Sequence, residues 1–163
     1  MEKALAIRTN LTIIFVKGMN NKENTSSFFS VSFRQGFISP NVPLATFHQG
    51  DKELIFLLDS GSEHNIIDKS VLSTITHTVL DDPSMPNTLS GVGGVSNVSA
   101  CSITFKCGDE EYTDKFIVND MQEALKLLKR ETGVIMHGII GSRFLREHQV
   151  ILDYQNLTAY SKK

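Results

Sequence analysis

The sequence predicts a mainly-β, closed-barrel-like domain with two or three short helices. Apolar residues come in short runs bounded by Gly, Asn, Asp and Pro, the pattern of strands and tight turns. Helical spacing is confined to brief stretches after residue 66 and after residue 119. The chain has 163 residues, 40% hydrophobic and 21% charged, with a mean hydropathy of -0.08, which is the size and balance of one ordinary domain. Such a chain can bury a core without disulfides or metal.

The elements follow in order. Segments 11–17 and 28–33 read as β-rich, separated by the polar gap 20–27, a loop or hairpin connection. The first forty residues are expected to form a β-rich extension packed on the main domain, 41–163. Segment 42–48 reads as a strand, 49–52 as a turn, and the run Leu54-Ile55-Phe56-Leu57-Leu58 as a strand buried on both faces. That run stops at Asp59-Ser60-Gly61-Ser62. Asp68 can cap a short helix with Ile67, Val71, Leu72 and Ile75 at helical spacing, and Pro83 and Pro86 then break the chain. Segment 89–118 reads as two hairpins, turning at Gly91-Val92-Gly93-Gly94 and at Cys107-Gly108-Asp109-Glu110. Asp120-x-x-Glu123 has the form of a capping box for a helix over 120–131. Its Met121, Ala124, Leu125 and Leu128 should pack on the core, and Gly133 should end it. Gly138-Ile139-Ile140-Gly141, a short helix over 142–147, a strand over 150–154, a turn at Gln155-Asn156 and a last strand over 157–160 complete the chain.

Charge and cysteine usage exclude several function classes. Sixteen basic against eighteen acidic residues give a net charge of -2 and a pI near 6.2, so no basic field exists to hold nucleic-acid phosphates. Cys101 and Cys107, if carried by one strand, lie roughly 20 Å apart, beyond bridging distance, and are expected as free thiols in a reducing, cytoplasmic setting. The apolar stretch 4–16 is broken by Arg8, Thr9 and Asn10. It is too short for a membrane span and lacks the form of a signal peptide. His48, His64, His77, His137 and His148 fit no metal-ligand spacing, so neither metal nor cofactor is expected. The glycine cluster at 91–94 lacks the form and context of a nucleotide loop. Ser62 and His64 lack the surroundings of a nucleophile pair, and His64 reads as a surface residue or a support for the Asp59 loop.

Asp59 is the informative position. A carboxylate directly after five apolar residues must find donors, shift its pKa or do chemistry, because burying an unpaired charge is costly. The plainer reading is an Asx-turn in which Asp59 caps nearby amides. Ser60 adds a hydroxyl, and Gly61 permits a tight turn.

Here the chain resembles a family. Leu57-Leu58-Asp59-Ser60-Gly61-Ser62 is similar to the apolar-apolar-Asp-(Thr/Ser)-Gly-(Ala/Ser) signature of aspartic proteases. Gly138-Ile139-Ile140-Gly141-Ser142-Arg143-Phe144-Leu145 resembles the later Ile-Leu-Gly-x-x-Phe-Leu stretch of the single-domain, retropepsin-like members, and Val150-Ile151-Leu152-Asp153-Tyr154 resembles the strand that follows it in bacterial members. The Gly91–Gly94 hairpin lies between the two motifs, where that family places its flap. The likeness covers about residues 40–160; Ser62 stands where Ala is commoner, and the 120–131 helix is longer than in viral members.

The resemblance implies a retropepsin (acid protease) fold over 41–163 and peptide-bond hydrolysis by two carboxylates sharing one proton. Asp59 would be the catalytic residue, with Ser60, Gly61 and Ser62 forming its loop; Gly91, Val92, Gly93 and Gly94 the flap; and Ile139, Ile140 and Gly141 the second motif. The chain holds one Asp-(Ser/Thr)-Gly, so a full site implies a homodimer with one Asp59 from each copy, and in that family the hydroxyl at the position of Ser60 braces the two loops across the axis. The expected partners are a second copy and a peptide or protein substrate, with no nucleic acid and no membrane. The alternative is a catalytically silent retropepsin-fold module for dimerisation or peptide binding.

Overall fold

The computed structural model describes residues 29–91 and 94–161. Strand β1 (Ser30–Ser32) is followed by a 3-10 turn (Arg34–Phe37), then by β2 (Leu44–Gln49), β3 (Lys52–Asp59) and β4 (Asn65–Asp68). A 3-10 helix (Lys69–Thr74) leads to β5 (Thr78–Leu80), β6 (Thr88–Gly91), β7 (Gly94–Asn97), β8 (Ser99–Cys107) and β9 (Glu110–Asn119). Helix α1 (Gln122–Thr132), β10 (Gly138–Gly141), α2 (Ser142–Glu147), β11 (Val150–Asp153) and β12 (Thr158–Ser161) finish the chain. The strand expectation at 11–17, the polar gap, and Val92 and Gly93 of the glycine hairpin lie outside the described residues.

The fold is mainly β, and its main sheet closes on itself. The order β2-β3-β10-β4-β9-β8 returns to β2 through a β2–β8 contact at His48 and Lys106, with β5 added on β8. One pair is a thin closure, and Gln49 reinforces it. Its Nε2 donates to the Thr76 and Thr104 carbonyls, both at 2.8 Å, and its Oε1 accepts from the Thr76 N–H at 2.6 Å. Two pairings are parallel, β3 with β10 and β4 with β9; both run beside the Asp59 turn. A smaller sheet, β1-β12-β11, joins residues near both ends of the described chain, and Phe29 and Phe33 flanking β1 are buried in the main core.

Aromatic rings fill the barrel. Phe47, Phe56, Phe105, Phe116 and Phe144 are buried, and Phe47 meets Phe105 edge-on at 5.4 Å and 88°. This is the geometry the ring quadrupole favours. The rings are delivered by period-two alternation: Leu54, Phe56 and Leu58 of β3 point inward. Burial of β3 on both faces is not what the structure shows. Ile55 and Leu57 are only half-buried, because they lie on the outer face of a closed sheet, away from the aromatic core.

Helix α1 also departs from expectation. No residue of Gln122–Thr132 is buried, Ala124 is exposed, and Leu127 keeps 50% of its surface in solvent. Along its apolar stripe Leu125 and Leu128 are half-buried, so helical spacing here marks a half-covered face and not a core helix. The capping box is replaced by a different start. Asp120 accepts from the Gln122 N–H at 3.2 Å, Glu123 pairs with Lys126 at 3.0 Å, and the Met121 N–H reaches the carboxylate of Asp68 at 2.8 Å. The other end follows the sequence. Gly133 takes φ 75°, and its N–H closes on the Lys129 carbonyl at 2.8 Å. The segment capped by Asp68 is helical as expected, but in the tighter 3-10 form.

Candidate active site

Strand β3 carries its alternation straight into Asp59. Leu58 faces the core; Asp59, one residue on, therefore faces outward with Leu57 two residues before it, and is half-buried. The chain then turns sharply. Asp59 Oδ1 accepts from the Gly61 N–H at 2.8 Å, and the Asp59 carbonyl accepts from the Ser62 N–H at 3.3 Å. This is the Asx-turn that the plainer reading describes, and it also aims the carboxylate outward from a fixed backbone. A Cβ on residue 61 would lie 3.2 Å from Asp59 Oδ1, so glycine lets the turn close against the carboxylate. Ser60 is exposed at the tip. Ser62 turns its hydroxyl to the His64 carbonyl at 2.8 Å.

The second motif lies against this turn. In the parallel β3–β10 pairing Ile139 stands opposite Leu57, Ile140 opposite Leu58 and Gly141 opposite Asp59. Two segments about eighty residues apart are thus in register, with Asp59 and Gly141 at matching strand ends. The approach is close enough to demand glycine. A Cβ on Gly141 would sit 2.4 Å from the His64 carbonyl oxygen, and one on Gly138 would sit 2.1 Å from that of Ile66. Three successive N–H groups then hold the turn. Gly141 N–H donates to Asn65 Oδ1 at 2.9 Å, Ser142 N–H to the Ser62 carbonyl at 2.7 Å and Arg143 N–H to the Glu63 carbonyl at 3.1 Å.

Sequence reasoning missed Asn65. It is 4% exposed, and its amide also donates to Asp114 Oδ2 at 3.0 Å and to the Lys115 carbonyl at 3.2 Å. The available signal was a polar residue opening the apolar pair Ile66-Ile67. It missed His137 as well. His137 Nδ1 accepts from the Ile55 N–H at 2.9 Å while its backbone N–H donates to the Ile55 carbonyl at 2.8 Å, extending the β3–β10 ladder by one side chain. Burial holds the His137 pKa below its ordinary value, with the Lys52 charge acting in the same direction and Asp68 against it.

A second apolar cluster lies next to the turn. Ile66, Met85, Ala100 and Ile117 are buried together, with Leu89, Val98, Met121 and Ile139 packed against them. Ile139 shares the face of Leu57 and Asp59, so this cluster forms one side of the surface onto which the carboxylate opens. Leu89 and Val98 root the β6–β7 hairpin in it. Among the described residues no other aspartate hydrogen-bonds Asp59, and no three His, Cys, Asp or Glu side chains converge as metal ligands. His64 lies 3.9 Å from Glu63 beside the turn. Cys101 and Cys107 are free, as expected, and both are buried on β8. No helix of the described chain is long and apolar enough to cross a membrane.

Fold and site together define a mainly-β, closed-barrel domain presenting one Asp-Ser-Gly turn against an Ile-Ile-Gly strand. No family model and no curated protein matches the sequence. Among solved structures, the chain is similar to EIAV protease complexed with the inhibitor HBY-793, with 15% sequence identity and a TM-score of 0.45, over 67% of this chain and 89% of that one.

Proposed function

We propose that this chain is an aspartic endopeptidase of the retropepsin type, active as a two-fold homodimer in which each copy contributes Asp59. One observation carries the reading: the Asp-Ser-Gly turn and the Ile139-Ile140-Gly141 strand, which the family signature requires together, pair in register, with Asp59 opposite Gly141. A half-buried carboxylate on a turn fixed by backbone hydrogen bonds is one half of a dyad. The remaining aspartates, at 51, 68, 81, 82, 109, 114, 120 and 153, lack the Ser-Gly that follows Asp59. A second copy must therefore supply the other half.

Two carboxylates about 3 Å apart cannot both ionise, so the pair holds one proton. The ionised carboxylate takes a proton from a water molecule as its oxygen attacks the scissile carbonyl carbon. The protonated carboxyl gives its proton to the carbonyl oxygen. The resulting gem-diol collapses by breaking the C–N bond, with a proton passing to the leaving amine, and yields a carboxylic acid and an amine. Ser60 is exposed at the turn tip, and in this reading its hydroxyl bridges the two turns. The β6–β7 hairpin, rooted by Leu89 and Val98 beside Ile139, would close over an extended peptide through main-chain hydrogen bonds.

The test is cleavage of a peptide library between about pH 4 and 7, comparing the native chain with Asp59→Asn, together with the native mass in solution. Cleavage by a dimer that is lost in a folded Asp59→Asn variant is the expected result. A strictly monomeric protein, or undiminished hydrolysis by Asp59→Asn, refutes the proposal. Peptide binding without cleavage would assign a binding module.

A further inference from the structure

We propose that Asn65 is a positioning residue for Asp59, holding the catalytic turn in place through Gly141; this rests on the reading of Asp59 as the catalytic carboxylate. Asn65 is the first residue of β4, nearly sealed from solvent, and it joins three strands. Its Oδ1 takes the Gly141 N–H of β10 at 2.9 Å, and its Nδ2 gives to Asp114 Oδ2 and to the Lys115 carbonyl of β9 at 3.0 and 3.2 Å. Both sides of the amide are therefore used. The reverse amide orientation would set Nδ2 against the Gly141 N–H and Oδ1 against the Asp114 carboxylate, so the network itself fixes the orientation.

The three donors that hold the turn are consecutive, at Gly141, Ser142 and Arg143. Two of their acceptors are backbone carbonyls, of Ser62 and Glu63, and persist whatever the side chains are. The third is Asn65 Oδ1, and it serves the N–H of the residue that stands opposite Asp59. Asn65 is thus the one side chain in this set that substitution can change. An aspartate there accepts but cannot donate, and it would face the Asp114 carboxylate across a hydrogen-bond distance in a buried setting. The two turns of the dimer must meet within a hydrogen bond, so a small displacement is amplified at the dyad. Misplacement of about 1 Å costs on the order of a hundredfold in rate.

The experiment compares the native chain with Asn65→Asp, Asp114→Asn and the double variant. The readouts are kcat, KM, thermal midpoint and the carbon-13 shift of the Asp59 carboxyl. Asn65→Asp is expected to lower kcat about a hundredfold with KM within about twofold, and to move the Asp59 shift. Asp114→Asn alone is expected to give a smaller loss than Asn65→Asp, since Asp114 accepts from both Asn65 Nδ2 and the Lys115 N–H, and the single oxygen of the new side-chain amide can keep only one of them. The double variant is expected to recover part of both losses, because an amide at 114 can donate to the carboxylate at 65 while its oxygen keeps the Lys115 N–H, and only the bond to the Lys115 carbonyl stays lost. Should Asn65→Asp not fold, Asn65→Ser, too short to span both partners, is expected to give the same loss. A folded Asn65 variant with native kcat and native Asp59 shift overturns the positioning role. So does a kcat loss that only follows the thermal midpoint and is not recovered in the double variant. A native chain that cleaves no peptide overturns the proposed activity alone, and the Asp59 shift across the four proteins then decides the role of Asn65.

Discussion

Replacing Gly141 by Ala should separate the Asp59 turn from β10, and the size of the effect follows from the packing. The added Cβ would stand 2.4 Å from the His64 carbonyl oxygen, 2.6 Å from its carbon and 3.0 Å from the Glu63 carbonyl oxygen. Ordinary contact begins at 3.4 Å, so backbone must move by roughly 1 Å against backbone, with no flexible side chain to yield. A shift of that size stretches the 2.9, 2.7 and 3.1 Å bonds from Gly141, Ser142 and Arg143 beyond useful length. At about 1 kcal/mol net for each, the loss is about 3 kcal/mol, in line with the usual cost of overpacking. For a chain of this size that is a fall of roughly 6–12 °C in Tm. Gly61→Ala is the contrast. Its Cβ would meet only the end of the Asp59 side chain at 3.2 Å, so stability should change little while the carboxylate is displaced. Urea and thermal unfolding measure both variants, and peptide cleavage measures what each displacement does at the site. A Gly141→Ala protein as stable as the native chain would refute the close approach of β10 to the turn.

Three further outcomes are expected. Because His137 Nδ1 must stay unprotonated to accept from Ile55, and burial lowers its pKa, the folded protein binds fewer protons there than the unfolded chain. That contribution is complete above about pH 6.5 and is lost as pH falls towards the folded pKa; His137→Asn, whose Oδ1 can take the place of Nδ1, should flatten the slope in urea titrations, and an identical slope in both proteins would remove His137 from the account. Burial pushes both thiols, Cys101 and Cys107, up to about 11, so alkylation at neutral pH should be slow in the folded protein and fast in urea, with activity insensitive to thiol reagents; rapid labelling of the native form would contradict their burial. Hydrogen exchange over residues 89–96 should slow when a peptide-like inhibitor binds, whereas unchanged exchange there, with protection elsewhere around Asp59, would show that the β6–β7 hairpin is not the lid.

What could be read along the chain is what local chemistry controls. The strand at Leu54–Leu58, the stop at Asp59-Ser60-Gly61, the turns at Gly108 and Gly133 and the cap at Asp68 all depend on neighbours a few residues away, and they form where the pattern places them. The two motifs flanking the site were legible for the same reason, although only the parallel pairing of β3 with β10 puts Gly141 opposite Asp59. What could not be read depends on partners far along the chain. Asn65 and Gly141 are 76 residues apart, and His137 reaches Ile55 across 82. A polar residue before an apolar pair looks like a strand edge until a distant amide arrives to claim it. The amphipathic stripe of α1 shows that a face is apolar but not what covers it, and the outer face of β3 poses the same ambiguity. Periodicity encodes how a segment divides its surface. Which side is sealed, and which N–H finds which acceptor, is settled only when the barrel closes, because burial and hydrogen-bond pairing are properties of the assembled layers and not of any one of them.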